Sequence, residues 1–166
     1  MKRKSRAGPT RARRAAAYTV NAITTARYAS KVKPALLRVA ARAALAHQGA
    51  PSPAELSIVV AGDAYLRRLN KQFRGMDAPT DVLSFPSEDG MKPSRHQALP
   101  RYLGDIAISY PRAWAQAAAA GHPVTHELRL LAVHGVLHLL GHDHARPVER
   151  ARMWQAQAAI LEELNQ

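Results

Sequence analysis

His134-Gly135-Val136-Leu137-His138-Leu139-Leu140-Gly141-His142-Asp143-His144 sets three histidines at a spacing that builds an open metal site. His134 and His138 are four residues apart, so on an α-helix they stand one turn above each other and both imidazoles reach one ion. Gly141 falls where a helix ends in a left-handed residue, which turns the chain and returns His144 towards the same ion. Val133, Val136, Leu137 and Leu140 surround the pair with aliphatic side chains that bury the helix, and buried histidines need partners. A histidine pair alone would be ordinary surface or core residues; the third histidine and the glycine favour metal ligation by His134, His138 and His144.

Ligand type bears on what such an ion does. The chain has no cysteine, which excludes disulfides and every thiolate-rich structural zinc pattern. Three neutral imidazoles leave the charge of a dication uncompensated, and in a three-histidine zinc site bound water reaches a pKa of about 7. The expected cofactor is therefore one Zn2+ per chain, at a site open to phosphodiester oxygens. Absence of cysteine fits a reducing compartment, and no apolar run approaches the roughly 18 residues of a membrane span, so a cytoplasmic location without membrane contact is expected.

Outward from the motif, Thr125 is placed to cap the histidine helix, with Glu127 in its first turn. Ala113 to Ala120 is a helix-favouring run ending near Gly121, and Val148 to Leu164 forms a final helix. Leu103 to Ser109, Leu56 to Val60 and Tyr18 to Thr24 read as strands. Pro34 opens a helix that runs to His47 and stops at Gly49. Asp63 is placed to cap a helix with Leu66 and Leu69 facing the core and Arg67, Arg68 and Lys71 outward. Pro79 to Pro86 is extended and bracketed by prolines, which suits an edge strand. Ser87 to Pro100 is the longest candidate loop. There is no internal repeat and no linker between two cores, so strands interspersed with helices imply one domain of α/β or α+β class.

The formal net charge of +12 is unevenly placed. Residues 1–54 hold twelve Lys or Arg and no Asp or Glu, and residues 55–166 hold twelve of each, so the excess lies in the first third. Residues 1–17 read as a disordered basic arm ahead of a single hydrolase domain over 18–166. Three roles compete for the arm: a solvated extension, contact with RNA phosphates, or an organelle transit peptide.

The histidine spacing matches that of metzincin zinc peptidases except at the second position. There a peptidase carries the glutamate that serves as general base, and this chain has Gly135. Glycine inside a helix costs about 1 kcal/mol relative to alanine, so Gly135 is expected to let backbone or substrate approach the metal closely.

The run from His134 to His144 resembles the signature of the YbeY family of bacterial endoribonucleases, also called rRNA maturation factors. Leu69-Asn70-Lys71-Gln72-Phe73-Arg74-Gly75, Pro79 to Pro86 and Leu103-Gly104-Asp105-Ile106 agree in colinear order, over about residues 55–155. The resemblance implies an α+β fold: a small mixed sheet of about four strands packed with helices, with a metzincin-like metal site on a central helix. It implies a single-strand-specific, zinc-dependent endoribonuclease acting in 16S ribosomal RNA 3′-end maturation and ribosome quality control. Its expected partners are single-stranded RNA, above all small-subunit ribosomal RNA, and the ribosome or a small-subunit ribosomal protein.

The resemblance also assigns metal ligation to His134, His138 and His144. Arg74 matches the family's functional arginine, which binds a substrate phosphate beside the metal. Either water or the RNA 2′-hydroxyl would serve as nucleophile. His142 stands where the family usually has tyrosine, and Gln157 stands near where relatives often carry an acid. Asp143 reads equally as support for a histidine or as a turn residue, and Asp105 as structural more than catalytic. The alternatives are a zinc peptidase of metzincin-like geometry and a non-catalytic ribosome assembly factor.

Overall fold

Leu56, Ile58 and Val60 alternate with Ser57 and Val59, and this period of two gives β2 one fully buried face and one partly covered face. The computed structural model describes residues 17–92 and 99–166. Its elements are β1 (Tyr18–Thr24), α1 (Pro34–His47), β2 (Ala54–Ala61), α2 (Asp63–Arg74), β3 (Val82–Pro86), β4 (Arg101–Ser109), α3 (Tyr110–Ala120), α4 (Val124–Leu139) and α5 (Pro147–Leu164), with a short 3-10 turn at Ala26–Tyr28. The strands form one mixed sheet in the order β1-β2-β4-β3. β1 and β2 are parallel with Ala22 opposite Ile58, β2 and β4 are parallel with Ile58 opposite Ile106, and β3 runs antiparallel to β4 with Ser84 opposite Ile106. The fold is α+β, as the sequence implied.

The two sheet faces carry different layers. Val20, Leu56, Ile58, Val60, Ile106 and Ile108 point into the main core, which α1, α4 and α5 close with Leu37, Leu45, Leu128, Leu137, Met153 and Ile160. On the other face Leu66 of α2 meets Ala61, Leu83 and Ala107 in a smaller cluster. The rest of that face is uncovered, leaving a cleft of about 650 Å3 lined by Asn21, Ser57, Phe73, Phe85, Tyr102 and Asp105, among others.

β1 and α1 fall at the expected residues, and β3 occupies the sheet edge that the prolines implied. Two caps differ. Gly62 rather than Asp63 precedes α2, because the Asp63 carboxylate accepts from Ser109 Oγ at 2.6 Å instead of capping its own helix. Pro123 rather than Thr125 precedes α4, whose entry is already extended by the fixed proline φ. The arm assigned to residues 1–17 lies outside the described residues except for Ala17, whose N–H donates to Ser52 Oγ and whose carbonyl accepts from Ala54. Residues 93–98 of the long loop also lie outside them.

Candidate metal centre

α4 packs against α1, α3, α5, β3 and β4 and is therefore the central helix. Its apolar residues Leu128, Leu131, Ala132, Val136 and Leu139 fix it between sheet and helices, leaving His134 and His138 half-buried on the remaining face. The helix ends at Leu139, with Leu140 as its C-cap. Gly141 follows in the left-handed region at φ 91°, where a side chain would be strained. Gly141 N–H donates to the His138 carbonyl and His142 N–H to the Leu137 carbonyl, both at 3.0 Å, the paired bonds of a Schellman motif. The turn continues with Asp143, whose carboxylate accepts from the backbone N–H groups of His144 at 2.7 Å and Ala145 at 3.3 Å. Asp143 thus has the turn role, and these two N–H groups hold its carboxyl below the usual range.

This path brings the three histidines together. His134 Nε2 and His138 Nε2 are 3.1 Å apart, and one nitrogen from each of the three rings lies within 4.8 Å of the others. Zinc with Zn–N distances of about 2.0–2.1 Å in a tetrahedron holds its nitrogens about 3.4 Å apart, so the donor set fits with small side-chain adjustment. Burial, and then the neighbouring imidazoles, push His138 down to about 4. Burial also lowers His134. Both are neutral near pH 7, the form that ligates a metal.

Gln157 of α5 completes the arrangement: its Oε1 lies 3.0 Å from His134 Nδ1 and fixes that nitrogen as the donor, leaving Nε2 for the cluster. The sequence reading noted Gln157 only as a departure from an acid. The i, i+4 step from Met153, buried at the start of the same α5 stripe, was the available signal that Gln157 faces inward.

The other candidates are placed differently. Arg74 is the last residue of α2, exposed, in the layer on the opposite side of the sheet from α4, and it makes no hydrogen bond or ion pair with another described residue. Only the edge strand separates the two sides. Phe85 packs on Phe73 with ring centroids 5.0 Å apart, while the adjacent Ser84 donates to the Gly135 carbonyl at 3.2 Å. Asp105 is on the α2 side of the sheet, accepting from the Tyr102 hydroxyl at 2.6 Å. His142 Nε2 contacts Gln48 Oε1 at 2.8 Å and ties the turn to the end of α1 rather than standing free.

Gly135 corrects its expected role. What approaches it is neither backbone nor substrate but the Ile106 side chain: a Cβ there would sit 2.8 Å from Ile106 Cγ2. The glycine lets α4 settle onto β4, and it is buried.

An α+β domain with three imidazoles gathered at one point, no thiolate and no carboxylate in the cluster is the scaffold of a metal-dependent hydrolase. The family model described as Endoribonuclease YbeY matches residues 18–165, and the chain belongs to that family. A relative from Roseiflexus castenholzii named Endoribonuclease YbeY is 50% identical over 135 residues, covering 81% of this chain and 85% of its own. One of the same name from Chloroflexus aggregans is 50% identical over 137 residues, covering 81% and 89%. The solution structure of TM1509 from Thermotoga maritima shares the fold, with a TM-score of 0.57 at 23% identity, covering 88% of this chain and 87% of that one.

Proposed function

We propose that this chain is a single-strand-specific endoribonuclease acting at the 3′ end of small-subunit ribosomal RNA and in ribosome quality control, with one Zn2+ held by His134, His138 and His144. Membership of the family makes it a nuclease acting on RNA phosphodiester bonds. The observation that carries the metal-dependent reading is the convergence of three imidazole nitrogens within 4.8 Å at the end of one helix.

When bound, the metal supplies Lewis acidity to a phosphate oxygen and lowers the pKa of a coordinated water. The chain's own residues do the rest. His134 and His138 present neutral nitrogens from a rigid helix, His144 closes the set from the turn, and Gln157 keeps the His134 tautomer fixed. Arg74 follows Phe73, which packs on Phe85 of the edge strand, while Ser84 of that strand bonds Gly135 beside His134, so an RNA strand passing over β3 would meet the guanidinium on one side and the histidines on the other. A planar guanidinium suits bidentate phosphate binding.

A ribosomal RNA substrate would put the protein with the ribosome in the cytoplasm, and no described helix is long and apolar enough to cross a membrane. Residues 18–166 act as the single hydrolase domain, and contact with RNA phosphates is one of the three roles open to the arm.

A peptidase reading is opposed by Gly135, which puts no carboxylate where that chemistry needs a base. A purely structural metal is opposed by the lack of a fourth protein donor in the cluster among the described residues. Incubating the metal-loaded chain with single-stranded RNA, duplex RNA and casein tests all three. Cleavage of the single strand alone is expected, and cleaved casein beside intact RNA would overturn the proposal.

A further inference from the structure

Trp154 is 55% exposed on α5, an unusual place to leave the largest apolar side chain in contact with water. Its neighbours explain its position. Arg150, one turn before it, donates from Nε to the His144 carbonyl at 3.1 Å, and its guanidinium carbon lies 5.8 Å from the Trp154 ring centroid. Gln157, one turn after it, bonds the His134 ring. Residues three and four apart share a helix face. Trp154 therefore stands midway along a stripe whose two ends are fastened to two of the three histidine-bearing positions. Trp114, equally exposed on α3, has no cation over its ring among the described residues.

The charge of this rim is favourable as well. Arg150 is the basic residue that shares Trp154's helix face, whereas Arg152 and Glu149 lie on other sides of α5. With Nε engaged, the terminal nitrogens of Arg150 bond no other described residue and remain donors in a fixed plane.

We infer that Trp154 and Arg150 form a nucleotide subsite beside the metal centre, the indole stacking one unpaired base and the guanidinium binding the phosphate next to it. The inference rests on the endoribonuclease reading and deepens it. A base can lie flat on an indole only when its own face is free, so the platform accepts a splayed single strand and rejects a base held within a duplex. It thus supplies a physical reason for single-strand selectivity that the three histidines alone do not.

The test uses the full metal-loaded chain and a short single-stranded RNA. Trp154→Ala is expected to raise KM roughly tenfold, within the range for losing one base–aromatic stack, with kcat changed far less, and Trp154→Phe restores most of the loss. Scanning one abasic nucleotide along the RNA then finds a position that raises the wild-type KM by the same factor and does not raise that of Trp154→Ala further. Arg150→Gln lowers the slope of log KM against log salt by about 0.7, the loss of one phosphate contact. Equal abasic effects in wild type and Trp154→Ala, or an unchanged KM, would overturn the subsite.

Fluorescence separates this inference from the reading beneath it. In a Trp114→Phe background, single-stranded RNA added in the presence of a chelator is expected to quench Trp154, and duplex RNA is not. Quenching without any cleavage by the metal-loaded chain would sink the nuclease reading alone. Cleavage without quenching would sink the subsite alone.

Discussion

Gln157 turns His134 by a single hydrogen bond, and the energetic weight of that contact is measurable. Losing the partner that orients a metal-ligating histidine typically weakens metal affinity 10–100-fold, so Gln157→Leu is expected to weaken metal binding about that much in a competitive chelator titration. Binding as tight as wild type would show that packing alone orients the ring. His138→Ala is expected to lower both bound metal and RNA cleavage by at least roughly a hundredfold, since two remaining imidazoles make a poor site. His138 also gives the metal-free chain a pH signature. Its folded-state pKa of about 4 lies below the ordinary 6.5, through burial first and then through His134 and His144. The unfolded chain therefore takes up a proton that the folded chain refuses. The associated stability is complete above about pH 6.5 and is lost as pH falls towards 4. Urea midpoints of the metal-free chain across that window are expected to drop, and His138→Ala removes this part of the fall.

At the scale of elements, the approach of α4 to β4 is set by what Gly135 lacks. Gly135→Ala adds about 1 kcal/mol of helix propensity but drives a methyl to 2.8 Å from Ile106 Cγ2. Overpacking of this kind costs typically 1–3 kcal/mol, so a net loss is expected, read as a lower urea midpoint, and the loss in combination with Ile106→Ala is less than the sum of the two separate losses. Gly141→Ala meets no neighbouring atom, so its cost is backbone strain alone, on the order of 1–2 kcal/mol, and it shifts His144 away from its partners.

These elements also show what the sequence made legible. Local patterns did well: the loose alternation and β-favouring residues of Tyr18–Thr24, the proline and glycine that bracket α1, the prolines around β3, and the i, i+4 histidines of α4 each depend on residues close together in the chain. Features decided at long range did not. Asp63 has the chemistry of a cap, yet its carboxylate is claimed by Ser109, 46 residues away. Gln157 meets His134 across 23 residues. The layer that holds Arg74 follows from β4 inserting between β2 and β3, an order that no local periodicity records.

For the whole molecule, charge and chemistry are separated. The arm carries Lys2, Arg3, Lys4, Arg6, Arg11, Arg13 and Arg14, while residues 55–166 are balanced. If the arm grips RNA, deleting residues 1–16 flattens the dependence of log affinity on log salt by up to about 5, seven cations at roughly 0.7 each, while metal content and thermal midpoint stay unchanged. A purely solvated extension gives no change in slope. The cleft on the α2 side, with Asp105 and Tyr102 in it, has none of the three histidines in its lining.

The three histidines proposed as ligands are not equally held. His134 and His138 are half-buried on a helix locked into the core, whereas His144 is exposed on a turn fastened by Asp143 and Arg150. The consequence concerns time more than affinity. An ion on this centre can depart through release of one surface ligand without any opening of the core, so chelator extraction is expected to outrun global unfolding by orders of magnitude. The centre would then exchange its metal with the surroundings throughout the life of the folded protein, and the ion it carries would follow supply rather than the first ion captured during folding.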